Sequence, residues 1–162
     1  IAVARALICE PKLVVCDEAV SALDLSTQAQ VLNLLADLRD ERGLSYLFIA
    51  HDISVVQFLA QRVVVLYRGQ VMESGPAADV TESPQHPFTQ ALVAASPVPR
   101  PAEQAERRQK REALGVRTAA AAAAAPGGCP FSERCPMATD LCRTERPALR
   151  SVGTSDVACH YA

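Results

Sequence analysis

The chain has 162 residues, 49% of them hydrophobic and 21% charged, with a formal net charge of −2 at neutral pH. That length suffices for one domain with a real core plus an appendage, and the near-even charge leaves no electrostatic footprint for nucleic acid or an anionic membrane. No apolar run approaches the roughly 20 residues of a membrane span, and no secretory leader is visible.

The chain opens on Ile1, inside a helical pattern, so it reads as the C-terminal part of a longer soluble, cytoplasmic protein. Ala2 to Cys9 is the end of a helix, stopped ahead of Pro11 because the residue before a proline avoids helical geometry. Leu13-Val14-Val15-Cys16 is a continuous apolar run, as expected of a parallel strand covered on both faces. A helix begins at Asp24 or Ser26, places Val31, Leu34, Leu35 and Leu38 at helical spacing, and stops at Gly43. Ser45 to Ala50 is a second buried strand, and strand, helix and strand in that order predict a right-handed parallel crossover.

Ile53 to Ala60 is a short helix leaning on Val55, Val56 and Leu59. Arg62–Leu66 and Gln70–Glu73 form a hairpin around Arg68-Gly69. Ser74-Gly75-Pro76 turns into a short helix, and His86-Pro87-Phe88-Thr89 opens another that ends near Ala95, closing the first domain at residues 1–95. Residues 96–128 read as a linker: Pro-rich at 97–101, charged from Glu103 to Glu112, and polyalanine from Ala119 to Ala125. Residues 129–162 form a short tail, poor in large apolar residues, that needs a staple to fold alone.

The chemistry concentrates after the first strand, where Asp17 and Glu18 are followed by Ala19-Val20-Ser21-Ala22-Leu23-Asp24. Unpaired buried acids are expensive, but the carboxyl end of a parallel strand is where open α/β sheets bind ligands. Asp17 can hold magnesium there, and Glu18, pointing differently, can polarise an attacking water. The plainer alternative for an isolated Asp-Glu pair is a helix cap or a surface salt bridge. His51, after the second strand, can reach the same place; alone it would be a hydrogen-bonded surface histidine.

In combination, Leu13–Glu18 with Ser21-Ala22-Leu23-Asp24 resembles the Walker B segment and D-loop of ABC-type ATPases. Ile1–Leu7 resembles the helix after that family's signature motif, and Leu47-Phe48-Ile49-Ala50-His51-Asp52 resembles its switch-histidine strand. Ala19 departs from the proline usual after the acidic pair and leaves the chemical groups in place. The resemblance implies an α/β fold with a P-loop NTPase-like parallel-sheet core, of which this is the C-terminal part. The hairpin at 62–73 resembles the edge of that sheet. It implies Asp17 as the ligand of Mg-ATP, Glu18 as base, His51 as γ-phosphate sensor, and Ser21 and Asp24 at the interface with a second ATPase subunit. The phosphate-cradling glycine loop and its lysine do not occur in these 162 residues, so they are not expected to hydrolyse ATP by themselves.

Of six cysteines, Cys9 and Cys16 sit in apolar surroundings as small hydrophobes. Cys129, Cys135, Cys142 and Cys159 are separated by five, six and sixteen residues, which is neither a paired zinc pattern nor a ferredoxin run. These cysteines, with His86-Pro87-Phe88-Thr89-Gln90-Ala91-Leu92, resemble the C-terminal extension of oligopeptide/dipeptide transporter ATPases. That subgroup implies a 4Fe–4S cluster on the four cysteines; tetrahedral zinc, or thiols left free or paired, remain alternatives. His160, beside Cys159, is expected to be incidental.

The expected function is ATP hydrolysis powering peptide (or nickel-type) import. Its partners are a second ATPase subunit, transmembrane permease subunits on the cytoplasmic membrane face and, indirectly, an extracytoplasmic peptide-binding protein. Two other readings share parts of the sequence: a soluble ABC-type ATPase of translation or DNA repair, and a non-catalytic metal-binding module.

Overall fold

A computed structural model of the chain describes residues 1–96, 101–116 and 127–162. The expected polyalanine run and residues 97–100 of the Pro-rich stretch lie outside the described residues. One compact unit spans Ile1–Ala60 and a second spans Gln61–Ala162.

In the first unit, helix α1 (Ala2–Leu7) precedes strand β1 (Leu13–Asp17), which pairs in parallel with β2 (Ser45–Ile49) from Leu13↔Ser45 to Asp17↔Ile49. The connecting helix α2 (Leu25–Arg42) starts where Asp24 accepts the Thr27 N–H at 2.9 Å. It stops at Gly43, whose φ of 65° is the left-handed conformation that glycine adopts without strain. Asp52 caps α3 (Ile53–Leu59) in the same way, accepting the Ser54 N–H at 2.8 Å. Val20, Leu32 and Val55 form the core, with Val31, Phe48 and Ala50 against them.

Two sequence expectations change here. Of the expected apolar stripe of α2, Leu35 is buried and Val31 packs against the core, but Leu34 is 47% exposed and its place is taken by Leu32, which is buried. The strands are not covered on both faces. Leu13 (57%), Val15 (59%), Leu47 (55%) and Ile49 (47%) stay exposed, because side chains alternate along a strand and the core packs on one face alone.

The second unit is built on a four-stranded antiparallel sheet of order β3-β4-β6-β5. Its hairpin, β3 (Arg62–Tyr67) and β4 (Gln70–Pro76), turns through Arg68 and Gly69, whose φ values of 51° and 74° match the strand twist. The other two strands come from the tail: β5 (Arg150–Val152) and β6 (Ser155–Val157), the latter set against β4 at Glu73↔Val157 and Ser74↔Asp156. The chain is therefore α/β as expected, but among the described residues parallel pairing is confined to β1 and β2. The hairpin belongs to an antiparallel sheet completed by the tail, so the tail's staple is at least partly a strand pairing.

Helices α4 (Ala77–Glu82), α5 (Pro87–Ala95), α6 (Pro101–Ala113) and α7 (Asp140–Thr144) complete this unit. Arg107 of α6 donates to the Val93 carbonyl of α5 at 3.3 Å, so the charged run is a helix tied to its neighbour. Glu73, fully buried on β4, accepts the backbone N–H groups of Gln85 (2.9 Å) and His86 (3.0 Å), one on each carboxyl oxygen. These are donors that would otherwise be orphaned before the first turn of α5. Glu73→Gln replaces one acceptor with a donor facing an N–H, so unfolding should require about 1–3 kcal/mol less. Chemical denaturation of the variant beside the wild type measures this, and equal stability would remove the pin from the fold's supports.

Candidate functional sites

The first site lies at the carboxyl ends of β1 and β2. Asp17 closes β1 opposite Ile49, and the Glu18 N–H continues the ladder onto the Ile49 carbonyl at 3.0 Å. Glu18 then takes a φ of 46°. A non-glycine residue held there carries about 1–3 kcal/mol of local strain, a feature that concentrates at functional sites. Ser21 fastens the turn, its N–H and hydroxyl both donating to the Glu18 carbonyl, at 3.1 and 2.9 Å.

This turn brings Glu18 Oε1 to 3.3 Å from His51 Nδ1, although 33 residues separate them in the chain. Both side chains are more than half exposed, at 56% and 71%, so water reaches the pair. A carboxyl and an imidazole at that distance can hold a water between them and the reacting centre, or pass a proton. Glu18, Ser21 and His51 line one cleft, together with Gln28 and Asp52. Asp17 is exposed beside it. Asp24 stands apart: its carboxyl is engaged by the Thr27 N–H and, at 2.8 Å, the Thr27 hydroxyl. Those bonds hold its pKa below the ordinary carboxyl value. Gln28 and Asp52 were missed in the sequence. Asp52 was legible as a cap because Ser54 follows two residues later; Gln28 carried no signal.

The second site lies in the tail. Cys129, Cys135, Cys142 and Cys159 all line one small cavity of the second unit, and none is in a disulfide. The Cys129 N–H donates to the Cys142 carbonyl at 2.8 Å, joining the start of the tail to α7. That approach requires Gly128, where a Cβ would stand 2.3 Å from the Arg143 carbonyl oxygen. The tight turn 129–135 is closed by the Cys135 N–H on the Phe131 carbonyl at 3.0 Å.

Phe131, 1% exposed, is the apolar wall, with its ring 5.5 Å from Tyr67, 5.4 Å from Phe88 and 6.1 Å from His86. His86 caps α5 by accepting the Phe88 N–H on Nδ1 at 3.0 Å. Burial lowers its pKa to about 4, against a smaller upward pull from the Ala158 carbonyl, so the ring is neutral at physiological pH. Burial pushes the Cys135 thiol up to about 11, opposed by the Met137 N–H and reinforced by the other three cysteines. Cys129 is raised for the same first reason, while the Phe131 and Ser132 N–H groups at its sulfur pull it back.

Among the described residues, no three His, Cys, Asp or Glu side chains are placed to hold a single metal ion. Four thiols around one apolar cavity are nevertheless a sulfur-rich donor set. One further polar group fits it: the buried Ser132 hydroxyl, with no hydrogen-bond partner, belongs to a residue lining the same cavity.

Residues 72–142 match the family model described as the oligopeptide/dipeptide transporter, C-terminal region. The whole chain is similar to proteins named as peptide import ATP-binding proteins. It is 47% identical over 160 residues to one from Brucella abortus (strain 2308), covering 99% of this chain and 46% of that protein. Over 160 residues it is 46% identical to one from Brucella melitensis biotype 1, covering 99% and 41%. A Brucella ovis relative is 49% identical over 152 residues, covering 94% and 46%. The resemblance to oligopeptide/dipeptide transporter ATP-binding subunits is thereby borne out, and the chain spans less than half the length of these relatives.

Proposed function

We propose that these residues form part of an ATP-hydrolysing subunit of a peptide importer, and supply the water-activating side of its nucleotide site. The observation that carries the proposal is the Glu18–His51 pair at 3.3 Å, at the ends of two adjacent parallel strands. In this reading Asp17 holds the magnesium of Mg-ATP, Glu18 orients and deprotonates the attacking water, and His51 holds Glu18 in place near the γ-phosphate. The exposed apolar face of β1 and β2 supports a larger parallel P-loop core around these strands. The phosphate-cradling loop, absent from these 162 residues, is required for turnover.

Ser21 and Asp24 are the proposed contacts to a second ATPase subunit, the two closing around nucleotide and driving permease subunits from the cytoplasmic membrane face. No helix among the described residues is long and apolar enough to cross a membrane. The rival role in translation or DNA repair shares the first unit but gives no account of the match at residues 72–142.

The tail is proposed as a 129–162 extension built onto the hairpin's sheet, Cys129, Cys135, Cys142 and Cys159 holding a 4Fe–4S cluster. Such a group supplies electron storage or a structural crosslink where bound. Zinc is the second candidate, since four thiolates suit a tetrahedral zinc as well as a cluster. ATPase assays on the protein purified with its permease test the function. Copurification and peptide-stimulated turnover are expected; ATPase activity that ignores permease and peptide would reject the importer role.

A further inference from the structure

The Ser132 hydroxyl is the unexplained polar group of the tail. Ser132 is 1% exposed, and its Oγ has no hydrogen-bond partner among the described residues. A buried, unsatisfied hydroxyl costs about 1–3 kcal/mol, so an alanine would suit an empty cavity better. The other polar groups around the cavity are already engaged. His86 accepts the Phe88 N–H on Nδ1 and faces the Ala158 carbonyl, and His160 Nε2 lies 3.2 Å from the Glu145 carbonyl. The Tyr161 hydroxyl is 2.8 Å from Thr139. No cysteine sulfur lies within hydrogen-bonding reach of the hydroxyl either, so the missing acceptor is one that the four cysteines would bring into the cavity with the group they hold.

We propose that Ser132 is a positioning residue of the four-cysteine site, donating its hydroxyl hydrogen to a sulfur of the bound iron–sulfur group. This rests on the cluster reading given above. The backbone is placed for the role, since the Ser132 N–H donates to the Cys129 carbonyl at 3.0 Å and fixes the turn that carries both residues. A hydrogen bond to sulfur stabilises the reduced, more negative state, so it raises the reduction potential.

The test is Ser132→Ala in the protein purified without oxygen, compared in loaded and metal-free forms. The loaded variant should have a tenfold less favourable reduction equilibrium, a midpoint lower by about 59 mV for one electron. It should also lose iron to a chelator about tenfold faster, the scale of an outer-shell deletion. The metal-free variant should unfold at the same temperature as the wild type or higher, because an orphaned group has been removed. Ser132→Cys, which keeps a weak donor, should fall between alanine and wild type in potential. A loaded Ser132→Ala protein with unchanged potential and iron retention would overturn the role of Ser132 and leave the cluster standing. A metal-free variant that unfolds earlier would assign the hydroxyl to the fold and also overturn it. Wild-type protein without iron and sulfide would reject the cluster and this inference together.

Discussion

Glu18→Gln should reduce ATP turnover by about 10²–10⁴-fold, the usual contribution of a positioned general base. Nucleotide binding should be retained. Glutamine preserves the shape of the side chain and can still meet His51 Nδ1, 3.3 Å away, but it cannot take a proton from water. The loss belongs in kcat, because the carboxyl acts on the water and not on the nucleotide's ground-state contacts. Steady-state hydrolysis and equilibrium nucleotide binding, measured on the protein with its phosphate-binding loop present, separate the two effects. Undiminished turnover would remove Glu18 from the base role and reduce the Glu18–His51 contact to a surface interaction, of little consequence at such exposure.

The second large effect is expected at Phe131. Its ring is the shared neighbour of Tyr67, Phe88 and His86, and the hydrophobic cluster around it includes Cys129 and Cys142. Phe131→Ala should destabilise the unit by about 3–5 kcal/mol, the range for a large core aromatic replaced by alanine. The damage should be local. Hydrogen exchange should accelerate along β4, β6 and the 129–135 turn, while β1 and β2, in the other compact unit, retain wild-type protection. Uniform acceleration through both units would mean that they unfold as one, and unchanged exchange would contradict the packing role.

Much of the first unit was legible because its signals are local. Asp24 and Gly43 bound α2 by capping chemistry within a few residues, and the paired apolar runs at 13–16 and 45–49 announced β1 and β2. The Arg68-Gly69 turn was legible for the same reason. The full core face of α2 was not: Val31 and Leu35 lie on it as expected, but only the position of Val20 and Val55 selects Leu32 and leaves Leu34 exposed. In the tail, the four cysteines identified a site by type and spacing, yet no pattern announced β5 and β6, each three residues long. Nor could periodicity show that Ser132 lacks a partner, since that depends on every group around it.

The sequence by itself determined the helix bounds of the first unit, the strands β1 to β4, and which side chains bear the chemistry. These follow from backbone preferences, side-chain alternation and functional-group type, all readable within a few residues. Tertiary structure alone decided which of those groups meet. It brought Glu18 to His51, gathered four cysteines around one cavity, set β6 of the tail against β4, and placed Glu73 under two backbone N–H groups 12 and 13 residues away. Each of these is a contact between residues distant in the chain, selected by packing and by the need to satisfy buried polar groups.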